Sequence, residues 1–324
     1  NMRRAIIIAS SHDCAANLAG EAGLIADENL SPVLYLWEND PCIVIGRYQN
    51  PYAECNIQAM DRDHVQLVRR QSGGGAVYQD RGKICFTLIG DKRSMTKEGN
   101  FAMVISALKT LGADATLSGR NDILVSGKKI SGNAFQYTKD RFSHHGTLLI
   151  STDLSVMGTY LRPSKAKLES NAVASVRSRV GNLTGFIPGI TNKMVFDAFC
   201  DAFIKQYGQT TPQIIDYSTD KEARKLYPLF GERTAILERT PPFTHRFSRR
   251  FPWAEVEVCM RVDEGVIKDL TIHSDALDTA LVPSWRKMLL GIPYTKSAME
   301  SLSGQERSQE TQMFLTSLKD EIPG

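Results

Sequence analysis

Arg69-Arg70-Gln71-Ser72-Gly73-Gly74-Gly75-Ala76-Val77-Tyr78 is the most unusual stretch of this chain. Glycines let the backbone approach a ligand closely and leave N–H groups aimed at it. Two arginines and a serine stand just before the triplet, and a β-type run begins just after it. Arginine offers a fixed, permanently charged fork of donors suited to phosphate and carboxylate. The same residues also fit a mobile hairpin loop with a solvated arginine pair. Two nucleotide motifs are excluded by spacing. No Gly-Lys-Ser/Thr follows, as a Walker A loop needs, and the GxGxxG spacing and following helix of a dinucleotide fingerprint are missing.

The flanks read as strands over 65–70, 76–78 and 84–89, so the triplet joins elements of a sheet. Further strands are expected at 2–10, 33–37, 42–46, 123–125 and 147–150. Residues 11–26 are Ala-rich with helical spacing, and Phe101, Val104, Ile105, Leu108 and Leu111 define an amphipathic helix. Val195, Phe199, Ala202 and Phe203 mark another. After Thr240-Pro241-Pro242 the pattern changes. Val256, Val258, Met260 and Val262 alternate with polar neighbours, Asp263-Glu264-Gly265 turns the chain, and a second strand follows over 266–272. Helices are expected near 284–290 and 314–318. Mixed strands with flanking helices, without a clean βαβ alternation, indicate an α+β fold with a mixed sheet. The expected domains are residues 2–240 and a small α/β domain over 246–324.

The chain has 324 residues, of which 42% are hydrophobic and 23% charged, so a packed core rather than disorder is expected. A net charge of +3 points to neither nucleic acid nor a membrane surface. The six cysteines are scattered without a CxxC, which reads as reduced core thiols and not a zinc site or disulfide framework. Asn1 ahead of Met2 reads as a cloning remnant, and no leader is recognisable, so a cytoplasmic location is expected.

Three further clusters carry chemistry. Asn121-Asp122 precedes an apolar run, and Lys128-Lys129-Ile130-Ser131-Gly132-Asn133-Ala134 follows a Ser126-Gly127 turn. A hairpin would bring Asp122 and the lysines to one place, where a lysine can stabilise developing negative charge and Asp122 can hold Mg²⁺. The plain alternative is a solvated Lys-Lys turn. His144-His145-Gly146-Thr147 leads into a strand. Adjacent histidines there face opposite sides, so at most one of them lines a pocket. Ser175-Val176-Arg177-Ser178-Arg179-Val180 reads either as a flap over a phosphate or as an exposed basic run.

Taken in order, Arg-Arg-x-x-Gly-Gly-Gly-x-Val, Gly-Arg-Asn-Asp, Lys-Ile-Ser-Gly-x-Ala, His-His-Gly-Thr-Leu-Leu and Ser-Val-Arg-Ser-Arg-Val resemble the lipoate–protein ligases. The resemblance spans most of residues 2–210. It implies a fold shared with biotin–protein ligases and class II aminoacyl-tRNA synthetase cores, with a small C-terminal domain. It also implies an enzyme that joins lipoate to AMP at the expense of ATP, with Mg²⁺. The lipoyl group then passes to a lysine on a lipoyl domain of a 2-oxo acid dehydrogenase complex or on the glycine-cleavage H protein. On this resemblance Lys129 is the catalytic lysine. Arg70, Gly75, Ala76, Val77, Tyr78, Asn121, Lys129, Thr147, Arg177 and Arg179 hold ATP or the adenylate. Glu21, Trp37, Arg69, Ser72, Gln79, Lys129 and His145 form the lipoate pocket, and Asp122 supports Mg²⁺.

The sequence departs from the family pattern at Gln79, where His is usual, and at Gln71 and Tyr52. These departures touch the acyl end. Three other readings compete: an ATP-independent octanoyl transferase of the same fold, a biotin ligase, and a binding protein that has lost the reaction. The transferase needs a pocket cysteine, and no Cys stands at the Lys129 or His145 position.

Overall fold

The computed structural model describes residues 2–119, 121–162, 179–237 and 243–322. They form two units. The first comprises Asn1–Ile45, Tyr52–Arg70 and Val77–Ile236, and the second Gly46–Pro51, Gln71–Ala76 and Leu237–Gly324. The sequence places Gly46–Pro51 and Gln71–Ala76 in the first domain. Their contacts assign them to the second.

The first unit is built on β1 (Arg3–Ala9), β2 (Leu30–Glu38), β6 (Lys83–Asp91), β7 (Ala115–Ser118), β8 (Asp122–Val125), β9 (Lys128–Tyr137), β10 (Arg141–Leu149) and β11 (Pro212–Ile215). They make one eight-stranded sheet in the order β11-β1-β2-β6-β10-β9-β8-β7. β1 runs parallel to β2 and β11, and the other pairings are antiparallel, so the sheet is mixed. A smaller sheet holds β3 (Cys42–Ile45) between β4 (Gln66–Arg69) and β5 (Val77–Gln79).

Helices cover both faces of the large sheet. Leu34, Leu36, Ile84, Phe86 and Leu88 pack with Phe101, Val104 and Leu108 of the Lys97–Thr110 helix and with Val195, Phe199 and Phe203 of the Asn192–Tyr207 helix. Val33, Tyr35, Trp37, Cys85 and Ile89 face the Cys14–Ala26 helix. Every residue of β6 is buried as a result. This explains why its sequence is a nearly unbroken apolar run. Asp13 and Thr96 cap the N-termini of the Cys14–Ala26 and Lys97–Thr110 helices by accepting backbone N–H bonds.

β10 begins at Arg141, well before the apolar residues that signal it in the sequence. The Arg141 guanidinium donates to the carbonyls of Leu24, Ile25 and Leu30 at 2.6–3.1 Å, so a charged residue is buried at the strand's start. β8 and β9 form the expected hairpin, with Ser126 (φ 48°) and Gly127 (φ 77°) both left-handed at the turn.

In the second unit, β12 (His245–Arg250), β13 (Glu255–Asp263) and β14 (Val266–Ser274) form an antiparallel sheet. Val256, Val258 and Met260 bury against Trp285 and Phe314 of the Leu281–Leu289 and Gln309–Asp320 helices. β12 escapes the sequence because Phe247 is its one buried side chain. The two borrowed segments join this unit through backbone bonds. Ser274 N–H donates to the Tyr48 carbonyl (2.9 Å), Gly74 N–H to Ala276 (3.1 Å) and Arg47 N–H to Ser72 (3.0 Å). No described helix is long and apolar enough to cross a membrane.

Candidate active site

The face of the large sheet beneath the Cys14–Ala26 helix carries two polar rows. Across β2, β6 and β10, Tyr35, Thr87 and His145 stand in register, as do Trp37, Cys85 and Thr147. Strand alternation therefore aims all six side chains at one side. Glu21 descends on them from the helix and is 6% exposed. Its carboxylate accepts from Thr87 Oγ1 at 2.6 Å and lies 3.4 Å from His145 Nδ1, while Trp37 Nε1 donates to Thr87 Oγ1 at 3.2 Å. Tyr35 stacks on Trp37 with 5.6 Å between centroids. Glu21, Trp37 and His145, three of the residues expected to bind lipoate, are thus gathered in one apolar-walled network.

Thr87 is a residue of this network that the sequence motifs do not reveal. Its signal was faint, a single hydroxyl inside an apolar strand. It joins Trp37 to Glu21, so Thr87→Val leaves a buried carboxylate and an indole N–H each short of a partner. An unmade buried hydrogen bond costs about 1–3 kcal/mol. The expected result is a KM for lipoate raised by roughly 10-fold with the KM for ATP unchanged, measured by pyrophosphate release.

The β8–β9 hairpin supplies the charged end. Lys129 Nζ pairs with Asp122 Oδ1 at 3.0 Å, with side chains 40% and 43% exposed. An ion pair this accessible contributes about 0–1 kcal/mol, so either partner can be drawn to a ligand at little cost. A Cβ built on Gly132 would lie 3.5 Å from Lys129 Cε, so the lysine stem lies across that glycine. Ala134, two residues on, is in register with His145, which places Lys129 on the same sheet face as Glu21 and Thr147. The Lys129 carbonyl accepts from Gly181 N–H (3.0 Å), and Val180 bridges to Lys129, bringing exposed Arg179 alongside. Asn121 is anchored through its carbonyl by Asn133 Nδ2 at 2.8 Å.

The other expected residues are placed as follows. Arg70 is buried, donates from Nη1 to the Val44 carbonyl (3.2 Å), and is lowered to about 10 by burial. Arg69 is half-buried and donates to the Ile236 carbonyl at 3.3 Å. Gln79 is buried and accepts from Asn39 Nδ2 (2.7 Å), with Cys85 Sγ 3.5 Å away. Tyr78 stacks on Tyr160 with 5.9 Å between centroids. Val77 and Tyr78 lie in β5. Ser72, Gly75 and Ala76 belong to the second unit, where Ser72 is buried and Gly75 and Ala76 are half-buried. Arg177 lies outside the described residues. Among the described residues no cluster of three metal-ligand side chains occurs. Asp122 is a single accessible carboxylate, which suits Mg²⁺ held chiefly by substrate phosphates.

The two histidines diverge as the strand geometry requires. His144 is buried among Phe86, Phe101 and Phe135, with Nε2 2.8 Å from Asn133 Oδ1. Burial, then the charges of His145 and Lys97, push it down to about 3. Below its ordinary value near 6.5, the unfolded chain takes up a proton that the native protein refuses. Stability therefore falls with pH by roughly 1 kcal/mol per unit between about 6.5 and 3. Urea unfolding of wild type and His144→Gln at pH 7 and pH 5 checks this. The wild type is expected to lose about 2 kcal/mol more than the variant.

The family model described as the lipoyl protein ligase A/B catalytic domain matches residues 13–207, and that of the bacterial lipoate protein ligase C-terminus matches residues 240–317. The chain belongs to the lipoyl protein ligase family. A family member from Psychrobacter cryohalolentis, lipoate-protein ligase A, is 41% identical over 275 residues, covering 82% of this chain and 81% of the relative. Among solved structures, P. falciparum LipL1 in complex with lipoate matches with a TM-score of 0.84 at 29% identity, over 98% of both chains. The bipartite lipoate protein ligase of Thermoplasma acidophilum, from a study with its E2 lipoyl domain, matches with a TM-score of 0.63 at 25% identity. That match covers 74% of this chain and 99% of the other. The family is that of the sequence resemblance, and the mixed α+β fold agrees with it.

Proposed function

We propose that this chain is an ATP-dependent lipoate–protein ligase that forms lipoyl-AMP and passes the lipoyl group to a lysine of an acceptor protein. The observation that carries this reading is the Lys129–Asp122 pair on the sheet face that also holds Glu21, Trp37, Thr87 and His145. In the first step a lipoate carboxylate oxygen attacks the α-phosphorus, and the bond to pyrophosphate breaks. Two like charges 4 Å apart repel by about 4 kcal/mol at an effective dielectric near 20, so a cation between them is required. Lys129 supplies it, and the weakness of its pairing with Asp122 leaves it available.

Mg²⁺ supplies charge neutralisation of the phosphates, with Asp122 and Asn121 as the residues that would hold it. Arg70, Val77, Tyr78, Thr147 and Arg179 line the nucleotide side, with Gly75, Ala76 and Arg177 assigned by the motif. Trp37 and Tyr35 wall the acyl chain, Glu21, His145, Arg69 and Gln79 complete its pocket, and Ser72 is assigned to lipoate by the motif. In the second step the acceptor amine attacks the lipoyl carbonyl, the proton leaves the nitrogen, and AMP departs. The acceptors are the lipoyl domains of 2-oxo acid dehydrogenase complexes and the glycine-cleavage H protein, met in the cytoplasm.

Thiol chemistry is the rival route. Cys85 is the cysteine on this face, and burial holds its thiol far above the ordinary value, the reverse of what a nucleophile needs. The deciding experiment incubates the protein with lipoate, MgATP and a purified lipoyl domain and weighs the domain by intact mass spectrometry. A lipoyl-sized gain that requires ATP is expected. A gain from octanoyl carrier protein without ATP would establish the transferase instead.

A further inference from the structure

Lys83 opens β6 and is 6% exposed. Its ammonium donates to the Tyr78 carbonyl at 2.6 Å, and among the described residues this is its one hydrogen bond, with no ion pair. An ammonium has three donors, and buried charges are normally paired with an opposite charge. Here a full positive charge is held inside the protein against a single carbonyl. Its place is informative. Lys83, Cys85 and Thr87 alternate along β6, so Lys83 lies on the face that carries Trp37, Thr147 and His145, one step beyond the Cys85–Thr147 pair. Lys129 approaches the same face from β9, and its charge adds to the lowering of Lys83 that burial chiefly causes. Two cations therefore converge, while Asp122 is the carboxylate paired with either of them.

We propose that Lys83 is a second oxyanion-binding residue of the site, which holds the nucleotide's phosphate oxygens together with Lys129. The inference rests on the ligase reading and adds to it a residue that neither the motifs nor the family resemblance singled out. The other oxyanion of the reaction is the lipoate carboxylate. The phosphates are the better match because Lys83 is bonded to Tyr78, the last residue of the glycine-rich stretch, and stands away from the Glu21–Thr87–His145 row.

Burial leaves Lys83 lowered to about 8, through desolvation first, with Cys85, Asp80 and Cys42 opposing and Lys129 adding to the shift. A bound phosphate favours the charged form and raises that value, so protons are taken up on binding near pH 8.

The test is calorimetric titration of the full chain at pH 8 with α,β-methylene-ATP and, separately, with lipoate. Each is run in two buffers of different ionisation enthalpy. The wild type is expected to take up about half a proton with the nucleotide and none with lipoate. Lys83→Met should abolish that uptake and weaken nucleotide binding by at least roughly 10-fold, leaving lipoate binding within about twofold, and Lys83→Arg should restore the nucleotide. The wild-type proton uptake needs no variant to fold. Unchanged nucleotide binding in Lys83→Met, or an effect confined to lipoate, overturns the proposal. Pyrophosphate release by the wild type on the same preparation separates the two readings. Its presence with an unaffected Lys83→Met sinks Lys83 alone, and its absence sinks the ligase reading as well.

Discussion

Lys129→Ala is expected to lower lipoate-dependent pyrophosphate release by roughly 10²–10³-fold while the protein stays folded. Both parts of that expectation come from the same geometry. The side chain is 40% exposed and its ion pair with Asp122 is open to solvent, so removing it leaves no buried charge behind. The backbone bond from Gly181 N–H to the Lys129 carbonyl survives the substitution. On the proposed mechanism, what is lost is the cation that lies between the two anions that must meet. Measuring the rate alongside a urea unfolding curve separates the two effects. Near-normal lipoyl-AMP formation by the variant would remove Lys129 from the reaction.

Gly73→Ala is expected to be the most damaging single-methyl change in the glycine stretch. A Cβ there would lie 2.1 Å from the Ala276 carbonyl oxygen, 2.7 Å from the Leu277 oxygen and 2.9 Å from the Leu277 carbonyl carbon. These are backbone atoms, which cannot rotate out of the way, so the loop must leave its seat. The bond from Gly74 N–H to Ala276 would go with it. Overpacking of this kind costs about 1–3 kcal/mol, and the upper end is expected here. Gly75 is the control, because nothing lies within 4 Å of its Cβ position. Gly75→Ala should keep wild-type stability to within about 0.5 kcal/mol and act on nucleotide affinity instead. Equal stability of the two variants, by thermal or urea unfolding, would mean that residues 276–277 do not hold the loop. The neighbouring glycines thus have different physical reasons. Gly73 needs the space, and Gly74 adopts a left-handed φ of 97°.

The site depends on both strand periodicity and long-range pairing, and these were unequally visible. The alternation that makes His144 and His145 diverge is a local property of extended chain, and β10 obeys it. The Asp122–Lys129 meeting was also legible, because Ser126-Gly127 marks a tight hairpin that pairs Leu124 with Lys129; the register shift between Ile123 and Leu124, which sets Asp122 opposite Gly132, was not. Thr87 and Lys83 were not legible. Each is a polar residue in an apolar strand, and only the cross-strand partners and the helix above reveal what it faces. Gln79 was expected in the acyl pocket as a departure from the family's usual His. Its amide is engaged by Asn39, and that partner is 40 residues away in sequence.

The sequence by itself determined the α+β class, the mixed sheet, the covering helices and the family, since apolar periodicity and motif order are local properties. The tertiary structure alone decided that β10 starts at a buried arginine and that β12, with one buried side chain, is a strand at all. It also decided that Gln71–Ala76 packs with the C-terminal unit. The first and last of these turn on a backbone group finding a partner far along the chain, whereas β12 is made by its pairing with the next strand. Arg141 satisfies three carbonyls more than 100 residues away, and Gly74 bonds to Ala276. Such bonds leave no periodic trace in either partner's own neighbourhood, because the need they meet is created by folding.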